Sequence, residues 1–528
     1  MIRKLTASCL LAASCFGYSS KEMKLEEKVG QILIVHFHGE RVNQDAKDLI
    51  QEMHVGGVIY YNWANGLNSP DQVTLLSQEL QKLAQETRLS IPLLITVDQE
   101  GGIVARLTQG FTVFPGNKAL GMTGNPELAE LSAFAMGGEL RAVGVNVNFA
   151  PVVDVNSNPK NPVIGIRSFS DSPDTVVAFG RKALEGYRRA GIITSLKHFP
   201  GHGDVGVDSH LDLPVVSKSK EDLKQVELRP FTELAFLADT IMTAHILVPA
   251  LDPEHCSTLS KKTLDYLKKE IGFQGVIISD SLVMEGVLKK CGSIDEAAIQ
   301  ALNAGCDILT LGGKQLVGGN TKVELTVSDI RRIHRSLVEA VKTGRVSEER
   351  LNQAVEKVVQ LKNRYLLKPQ EIQQAVKTKE HQALAQAIAA LSLQVSKKEP
   401  SRLSSLSEKK IAVIAPQLLE ASIQQTSLLK KGKETSAAFF EKLNPSEAEI
   451  LVIKEKSTKS DAIIFCSYNS WRNDAQAALI HALLELGKPV ILFVVRDPID
   501  AALYPKADLI ISTFSPTPPS IQAGCDRL

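Results

Sequence analysis

The chain has 528 residues, which is enough for two or three domains. Apolar residues make up 44% of it and charged residues 23%, values typical of a globular protein. The 60 lysine and arginine residues balance 59 aspartate and glutamate residues, for a net charge of +1, and no long basic run occurs, so a nucleic-acid partner is not expected. No run of apolar residues is long enough to predict a membrane span.

Residues 1–20 resemble a secretory leader. Arg3 and Lys4 precede a run of small and apolar residues, and Ala12-Ala13-Ser14-Cys15 is similar to a lipoprotein cleavage site, which makes Cys15 a candidate for lipid attachment. The leader favours an exported, periplasmic or membrane-anchored protein over a cytoplasmic one, although an irregular cytoplasmic N-terminus remains the alternative. The other five cysteines are scattered without metal-ligand spacing, so we expect free thiols and no structural zinc site.

Eight short apolar runs alternate with helical patterns in residues 21–370. Apolar strands that alternate with helices predict a parallel sheet covered on both faces, and eight units favour a (β/α)8 TIM-type barrel over an open doubly wound sheet. The runs are Ile32–Val35, Gly57–Tyr60, Leu93–Val97, Val145–Phe149, Ile192–Leu196, Thr240–Ala244, Val276–Ser279 and Asp307–Leu311.

A helical linker is predicted over 371–400 and a smaller α/β sandwich domain over 401–528. Five further apolar runs predict the strands of this sandwich, and no glycine-rich phosphate loop follows the first of them. Asp461 and Asp497 are interpreted as strand-edge or capping residues. The runs are Ile411–Ile414, Ile450–Ile453, Ala462–Phe465, Val490–Val495 and Leu509–Ile511.

Ionisable residues follow five of the eight barrel strands, at the end where barrel enzymes hold their active sites. They are Asp98, Asp154, Lys197 with His198, His245 and Asp280. The densest cluster is residues 197–210, which hold one lysine, three histidines and two aspartates. Asp208 and His210 lie two positions apart, so a turning loop can bring the carboxylate onto the imidazole and raise its basicity. We interpret this cluster as an active site rather than a polar loop with a packing histidine.

Asp280 is a candidate nucleophile because a carboxylate ends a barrel strand there; a helix N-cap is the competing interpretation. Residues 98–106 join Asp98 and Glu100 to Arg106 around a Gly-Gly turn, and the loop at 161–169 supplies Arg167. Such carboxylates and arginines suit hydrogen bonds to a sugar, although either arginine could instead form a surface ion pair.

Four ordered motifs in the chain resemble glycoside hydrolase family 3, and within it the bacterial β-N-acetylhexosaminidases that act on peptidoglycan-derived fragments. These motifs are DQEGG-x-V-x-R from Asp98, NPVIG-x-RSF from Asn161, KHFPGHG from Lys197 with the following DSH, and SDSL-x-M-x-G from Ser279. The resemblance covers about residues 24–370 and extends weakly into the C-terminal part. Ile103 and Ser281 depart from the residues frequent in the family, which bears on substrate detail more than on chemistry.

The resemblance implies a retaining hydrolysis without metal or other cofactor, acting on N-acetylglucosamine-containing glycans or muropeptides. Asp280 would be the nucleophile and His210 the general acid/base, with Asp208 as its partner, in place of the usual second carboxylate. Asp98, Arg106, Arg167, Lys197 and His198 would bind the sugar, and His202 would position the loop.

Three alternatives remain at this stage. A β-glucosidase or β-xylosidase would share the barrel but take its acid/base from a carboxylate of the second domain. A metal-dependent barrel hydrolase would use His198, His202, His210 and Asp280. The His-x-His motif that usually opens such enzymes is superficially similar to His36-Phe37-His38. A non-catalytic cell-wall sugar-binding protein would need no nucleophile.

Overall fold

A computed structural model describes residues 17–209, 212–317, 321–367, 375–399, 402–403 and 405–528. Two predicted residues, the acid/base candidate His210 and the lipid-attachment candidate Cys15, lie outside this range. The described strands, in chain order, are β1 (Leu33–Val35), β2 (Gly57–Ile59), β3 (Leu94–Val97), β4 (Gln99–Gly101), β5 (Val104–Ala105), β6 (Val147–Asn148), β7 (Ile193–Phe199), β8 (Thr240–Thr243), β9 (Val276–Ile278), β10 (Leu309–Leu311), β11 (Lys314–Val317), β12 (Thr321–Glu324), β13 (Gln394–Lys398), β14 (Lys410–Pro416), β15 (Glu434–Phe440), β16 (Ala462–Ser467), β17 (Val490–Val494) and β18 (Leu509–Ser512).

The first sheet is a parallel barrel of eight strands. Its order is β10-β1-β2-β3-β6-β7-β8-β9, and β1 pairs with β10 in the register Leu33 to Leu309. A parallel bridge between Ile278 and Ile308 brings the β9 end of the sheet against the β10 end. Seven of the eight apolar runs predicted from the sequence contain one of these strands, and the eighth, Ile192–Leu196, overlaps β7, which continues to Phe199. The α/β barrel fold is therefore confirmed.

Helices surround this barrel and follow most of its strands. Several begin where a serine side chain accepts a backbone N–H in the first turn, which satisfies a donor that the helix itself leaves unpaired. Ser69, Ser260 and Ser347 do so at the starts of three of these helices. The helices are α1 (Leu25–Gln31), α2 (Gln44–Lys47), α3 (Asn62–Asn65), α4 (Pro70–Gln85), α5 (Asn117–Met122), α6 (Glu127–Ala142), α7 (Pro173–Arg189), α8 (Lys220–Gln225), α9 (Arg229–Leu234), α10 (Lys261–Lys269), α11 (Glu285–Cys291), α12 (Ile294–Ala304), α13 (Val327–Lys342), α14 (Glu348–Leu366), α15 (Lys379–Ser392), α16 (Glu420–Gln424), α17 (Glu447–Thr458), α18 (Asp474–Leu484), α19 (Asp500–Leu503) and α20 (Pro518–Cys525).

The second sheet has the order β13-β18-β17-β16-β14-β15, and only its edge strand β13 is antiparallel to its neighbour. One predicted strand is wrong: Ile450–Ile453 lies inside helix α17. Ser446 and Glu449 form a capping box at the start of that helix, and this local signal outweighs a short apolar run. The sheet instead gains β15 and β13, and β13 comes from the polar stretch predicted as a linker.

Helix α15 connects the two sheets in sequence and in space, because it packs against α5 and α6 of the barrel and against α20 of the second sheet. Cys291, Cys306, Cys466 and Cys525 are free thiols, as expected. None of the helices described here combines the length and apolar character that crossing a bilayer requires.

Candidate active site

A small cavity of about 180 Å³ opens at the carboxyl ends of the barrel strands. Of the ionisable residues that the sequence placed at strand ends, Asp98, Lys197, His198 and Asp280 line it, together with a few apolar side chains, whereas Asp154 and His245 stand behind the lining. Its wall is formed by Ile59, Tyr61, Asp98, Glu100, Val104, Arg106, Phe149, Val163, Arg167, Lys197, His198, His202, Ser209, Met242, Asp280, Ser281 and Thr310. The volume lies below the range of roughly 300–1,000 Å³ typical of pockets for larger ligands, which favours one sugar ring over a chain.

Glu100 is the centre of a buried ionic network on one side of the cavity. Its carboxylate accepts two hydrogen bonds from the Arg167 guanidinium, from Nε at 3.0 Å and from Nη2 at 2.8 Å. Lys197 Nζ lies 2.7 Å from Glu100 Oε1 and 2.8 Å from Asp98 Oδ1. Arg106 Nη2 lies 3.9 Å from Asp98 Oδ2 on the more open side. Asp98 is thus the carboxylate that is held by cations yet still faces the cavity.

The charges in this network hold one another in the ionised state. Burial opposes ionisation of Glu100, but Arg167 and Lys197 outweigh it and keep the pKa of this carboxyl far below its usual range. Burial alone would lower the pKa of Lys197, yet Asp98 and Glu100 raise it. Burial of Arg167 is likewise overcome by Glu100, which raises the guanidinium pKa. The wall therefore presents fixed charges before any ligand arrives.

His198 is held in one tautomer by two partners. Its Nδ1 lies 2.7 Å from Asp154 Oδ2, and because a carboxylate only accepts, Nδ1 carries the proton. Its Nε2 then offers a lone pair to Arg167 Nη2 at 3.3 Å. Asp154 also accepts the backbone N–H of His202 at 2.7 Å. Burial alone would raise the pKa of the Asp154 carboxyl, but His198 outweighs burial and lowers it.

Asp280 follows β9 by two residues and is partly exposed at the floor of the cavity. Its Oδ1 accepts the backbone N–H of Ser281 at 2.7 Å, while helix α11 begins only at Glu285, so Asp280 is not a helix N-cap. The turn is fixed from behind by His245, whose Nε2 donates to the Ser281 carbonyl oxygen at 2.8 Å. The carboxylate is thereby oriented by backbone contacts and still reaches the cavity.

The second sheet supports the turn that carries Arg167. Asp497, which follows β17, accepts the backbone N–H of Ile166, and a Cβ placed on Gly165 would lie only 2.6 Å from Asp497 Oδ1. Gly165 has a φ of +44°, so both its backbone conformation and this close approach favour glycine. On the barrel side, Asn117 Nδ2 donates to the Arg167 carbonyl oxygen at 2.7 Å.

The loop that was predicted to hold the acid/base reaches the cavity through Ser209. The Ser209 hydroxyl lies 3.0 Å from Nε2 of His202, and both residues are buried. Burial, then the neighbouring His198, lowers the pKa of His202 to about 4, so this ring is neutral at neutral pH. Asp208 precedes Ser209 and is partly exposed. His202 thus contacts its own loop, in line with the positioning role expected for it.

The structure brings together every predicted sugar-binding residue, since Asp98, Arg106, Arg167, Lys197 and His198 all line the cavity with Asp280. The sugar-binding set predicted from the motifs does not include Glu100 or Asp154, although the sequence places Glu100 in the motif that begins at Asp98 and Asp154 at a strand end. Glu100 lies two positions after Asp98 in the same motif, and that alternation was the available signal. Both ring nitrogens of His198 have partners, which argues against the metal-dependent alternative built on it.

Comparisons with known proteins identify the family of this chain. The model for the glycosyl hydrolase family 3 N-terminal domain matches residues 24–361. The β-hexosaminidase A of Pseudoalteromonas piscicida is 37% identical over 342 residues, which is 61% of this chain and 55% of that protein, so the chain spans about half of its length. The β-hexosaminidase of Photobacterium profundum is 34% identical over 59% of this chain and 93% of its own. A family 3 β-N-acetylglucosaminidase structure from Paenibacillus sp. covers 95% of both chains, with 35% identity and a TM-score of 0.85.

A parallel eight-stranded barrel with a charged cavity at the carboxyl ends of its strands is the arrangement found in (β/α)8 barrel enzymes, and this chain has it. Because the family model matches residues 24–361, more than half of the chain, this chain belongs to glycosyl hydrolase family 3.

Proposed function

We propose that this protein is a retaining exo-β-N-acetylhexosaminidase that removes terminal N-acetylglucosamine from glycans. The observation that carries the proposal is that Asp280 shares one small cavity with the Asp98–Lys197–Glu100–Arg167 network. The network offers a carboxylate and cations to the ring hydroxyls of a single sugar, and Asp280 lies in the same wall. The names of the relatives support N-acetylhexosaminide as the substrate class.

In the proposed mechanism, the Asp280 carboxylate attacks the anomeric carbon and forms a covalent glycosyl-enzyme while the leaving oxygen takes a proton. Water then hydrolyses the intermediate, and the acid/base recovers its proton. We assign the acid/base to His210 with Asp208 as its partner. What supports this is the Asp-Ser-His order in the sequence and the position of Ser209 in the cavity wall. Asp98, Arg106, Arg167, Lys197 and His198 would hold the sugar.

For the physiological substrate we propose glycan fragments derived from peptidoglycan, with a role in cell-wall turnover. The support is the resemblance of the four sequence motifs and the leader-like segment that ends near Cys15. Comparing release of N-acetylglucosamine from a muropeptide and from chitobiose tests this finer assignment. Faster release from the chitobiose would contradict it without touching the hydrolase assignment.

The deciding experiment is hydrolysis of a chromogenic β-N-acetylglucosaminide beside the matching β-glucoside. We expect preference for the N-acetyl substrate, a loss of roughly 10³-fold or more in kcat for Asp280→Asn, and a loss of about 10²–10⁴-fold for His210→Ala. Asp265→Asn, a partly exposed aspartate on α10 outside the cavity, is the matched control and should leave hydrolysis unchanged. A fluorinated donor that accumulates the intermediate should add one sugar mass to the wild-type peptide containing Asp280.

Preference for the β-glucoside would favour the β-glucosidase alternative. Full activity in His210→Ala would remove the histidine acid/base. Sugar binding without turnover by the wild type would favour a non-catalytic binding protein.

A further inference from the structure

A second cluster of ligand-type side chains lies outside the sugar cavity, at the carboxyl end of β1. His36 and His38 follow that strand, and Glu324 ends β12 of the hairpin that follows the last barrel strand. One ligand atom from each of the three residues lies within 4.8 Å of the others. The closest pair is His38 Nε2 and Glu324 Oε2, 2.6 Å apart. Two imidazoles and a carboxylate from distant segments thus face one another.

His36 is the residue that ordinary packing leaves unexplained. It is only 1% exposed, and among the described residues neither ring nitrogen has a hydrogen-bond partner of normal geometry. A buried polar group without a partner costs about 1–3 kcal/mol, so such groups are rare unless a ligand or ion completes them. Its neighbours on the other side are aromatic: Trp63 at 5.1 Å and Tyr61 at 6.0 Å between ring centroids.

The polar group that comes nearest to completing His36 is the backbone of Leu311, which approaches the ring without a hydrogen bond of normal geometry. The ring nitrogens of this buried imidazole are therefore placed to meet a ligand such as a metal ion.

We propose that His36, His38 and Glu324 form a binding site for a divalent transition-metal ion of the Zn²⁺ class. Two nitrogen ligands and one carboxylate match the preference of Zn²⁺, whereas Mg²⁺ and Ca²⁺ prefer oxygen ligands throughout. Three protein ligands leave one position of a tetrahedral ion open. None of the three residues belongs to the proposed catalytic set, so this site is separate from the hydrolysis.

The place of the site indicates what a bound ion would do. It would tie the β11–β12 hairpin to the segment after β1, two segments that are distant in sequence. His36 also contacts the ring of Tyr61, and Tyr61 lines the sugar cavity. An ion would therefore order one rim of the cavity, and its effect on hydrolysis would appear in KM more than in kcat.

Lys314 limits the affinity of the site and provides a sensitive test of it. Its ammonium lies 2.5 Å from Glu324 Oε1 and 4.0 Å from the centroid of the Trp63 ring. A fixed positive charge on one of the ligands opposes binding of a cation. Removing that charge should strengthen metal binding, while removing a ligand should weaken it. A structural ion pair without metal would not show this opposite response.

The experiment is a calorimetric titration of the full chain, stripped of metal, with Zn²⁺, supported by Co²⁺ absorption spectra. We expect one tight site in the wild type and a loss of at least about 30-fold in affinity for His38→Gln and for Glu324→Gln. These two ligands are exposed or partly exposed, so their substitution leaves the buried His36 in place. Lys314→Met should bind several-fold more tightly.

His255→Gln is the matched control, because the exposed His255 belongs to a separate cluster of the same ligand types, with the exposed Glu254 and the buried Asp252. It should leave the tight site unchanged. Unfolding temperatures of the metal-free variants check that each one is folded. The proposal is overturned if the wild type shows no tight site, if both ligand variants bind Zn²⁺ as the wild type does, or if only His255→Gln loses the ion.

Discussion

The two sheets are both built from parallel strands, yet they use the carboxyl ends of those strands differently. In the barrel, Asp98, Lys197 and Asp280 reach an open cavity. In the second sheet, Asp500 accepts the backbone N–H groups of Ser470 and Trp471, at 2.8 and 2.9 Å, and the Ser467 hydroxyl. The polar groups at this end of the second sheet therefore satisfy one another's hydrogen bonds. A polar residue at a strand end therefore marks a site only where the fold leaves space beside it.

The second sheet nevertheless contributes to the cavity from outside. Asp497 is held by Asn469, whose side-chain oxygen accepts the Asp497 backbone N–H at 3.0 Å, and it supports the turn before Arg167. One sheet thus supplies the groups that face the cavity, and the other positions one of them. Each half of this comparison can be tested by substitution.

The largest effect is expected for Glu100→Gln. Removing this charge leaves Arg167 and Lys197 buried with less compensation, and breaking a buried ion pair costs about 3–5 kcal/mol. Hydrolysis should fall with stability, because Lys197 and Arg167 lose their common anchor. Asp500→Asn in the second sheet is the comparison. Its partners are neutral, so we expect a loss of roughly 1–3 kcal/mol in the free energy of unfolding and little change in kcat. Urea unfolding and the chromogenic assay measure both quantities. Equal destabilisation by the two variants would contradict the distinction between the sheets.

An intermediate loss of stability is expected at acid pH, through protonation of His202. Its pKa is about 4 when folded and about 6.5 when unfolded, so the unfolded chain binds the proton more tightly. Its contribution to stability is complete above pH 6.5 and is lost as pH falls from 6.5 towards 4, by up to about 3 kcal/mol. Unfolding in urea at pH 7, 5.5 and 4.5 should show a shallower loss for His202→Gln than for the wild type.

Asp497 in the second sheet makes stability depend on pH in the opposite direction. Burial raises its carboxyl pKa, against the opposing influence of Arg496, so its contribution is present at low pH and decreases as pH rises through that raised value. Asp497→Asn should therefore reduce stability less at neutral pH than at acid pH. An identical pH profile for the His202 and Asp497 variants would refute this assignment of signs.

The smallest effect is expected where the second sheet meets the barrel. Asp497→Ala removes the acceptor for the Ile166 N–H and loosens the turn that positions Arg167, so we expect KM to rise about 3- to 10-fold with kcat nearly unchanged. Asp461→Ala is the control, because Asp461 caps the N–H of Lys410 at the start of β14. Steady-state kinetics with the chromogenic substrate measure both KM values. An unchanged KM for Asp497→Ala would contradict a role of Asp497 in positioning Arg167.

Much of the barrel was predictable because its signals are local. Each strand is a short apolar run, and each run is followed by a helical pattern. Asp461 and Asp497 were also interpreted correctly, since Asp461 accepts a strand-edge N–H and Asp497 caps a turn. The error at Ile450–Ile453 arose because four apolar residues have no period that separates strand from helix, and the capping box at Ser446 was overlooked.

The site was predictable in its membership but not in its pairings. Motif positions identified Asp98, Arg106, Arg167, Lys197 and His198, yet which cation meets which carboxylate depends on the way distant strands align. Glu100, in β4, pairs with Arg167 across 67 positions of the chain, and Asp154 pairs with His198 across 44 positions. The support of the Arg167 turn by Asp497 is longer-range still and comes from another sheet, so no spacing in the sequence could indicate it.

The pairing of Leu33 with Leu309 has a consequence for how this protein is made. On a ribosome that adds about 5–20 residues per second, β1 emerges on the order of tens of seconds before its partner β10 exists. Until then one edge of a partly built apolar sheet stays open, and open edges pair readily with other chains. Slower, cooler expression should therefore raise the yield of folded protein, whereas a fragment that stops short of residue 309 should be insoluble.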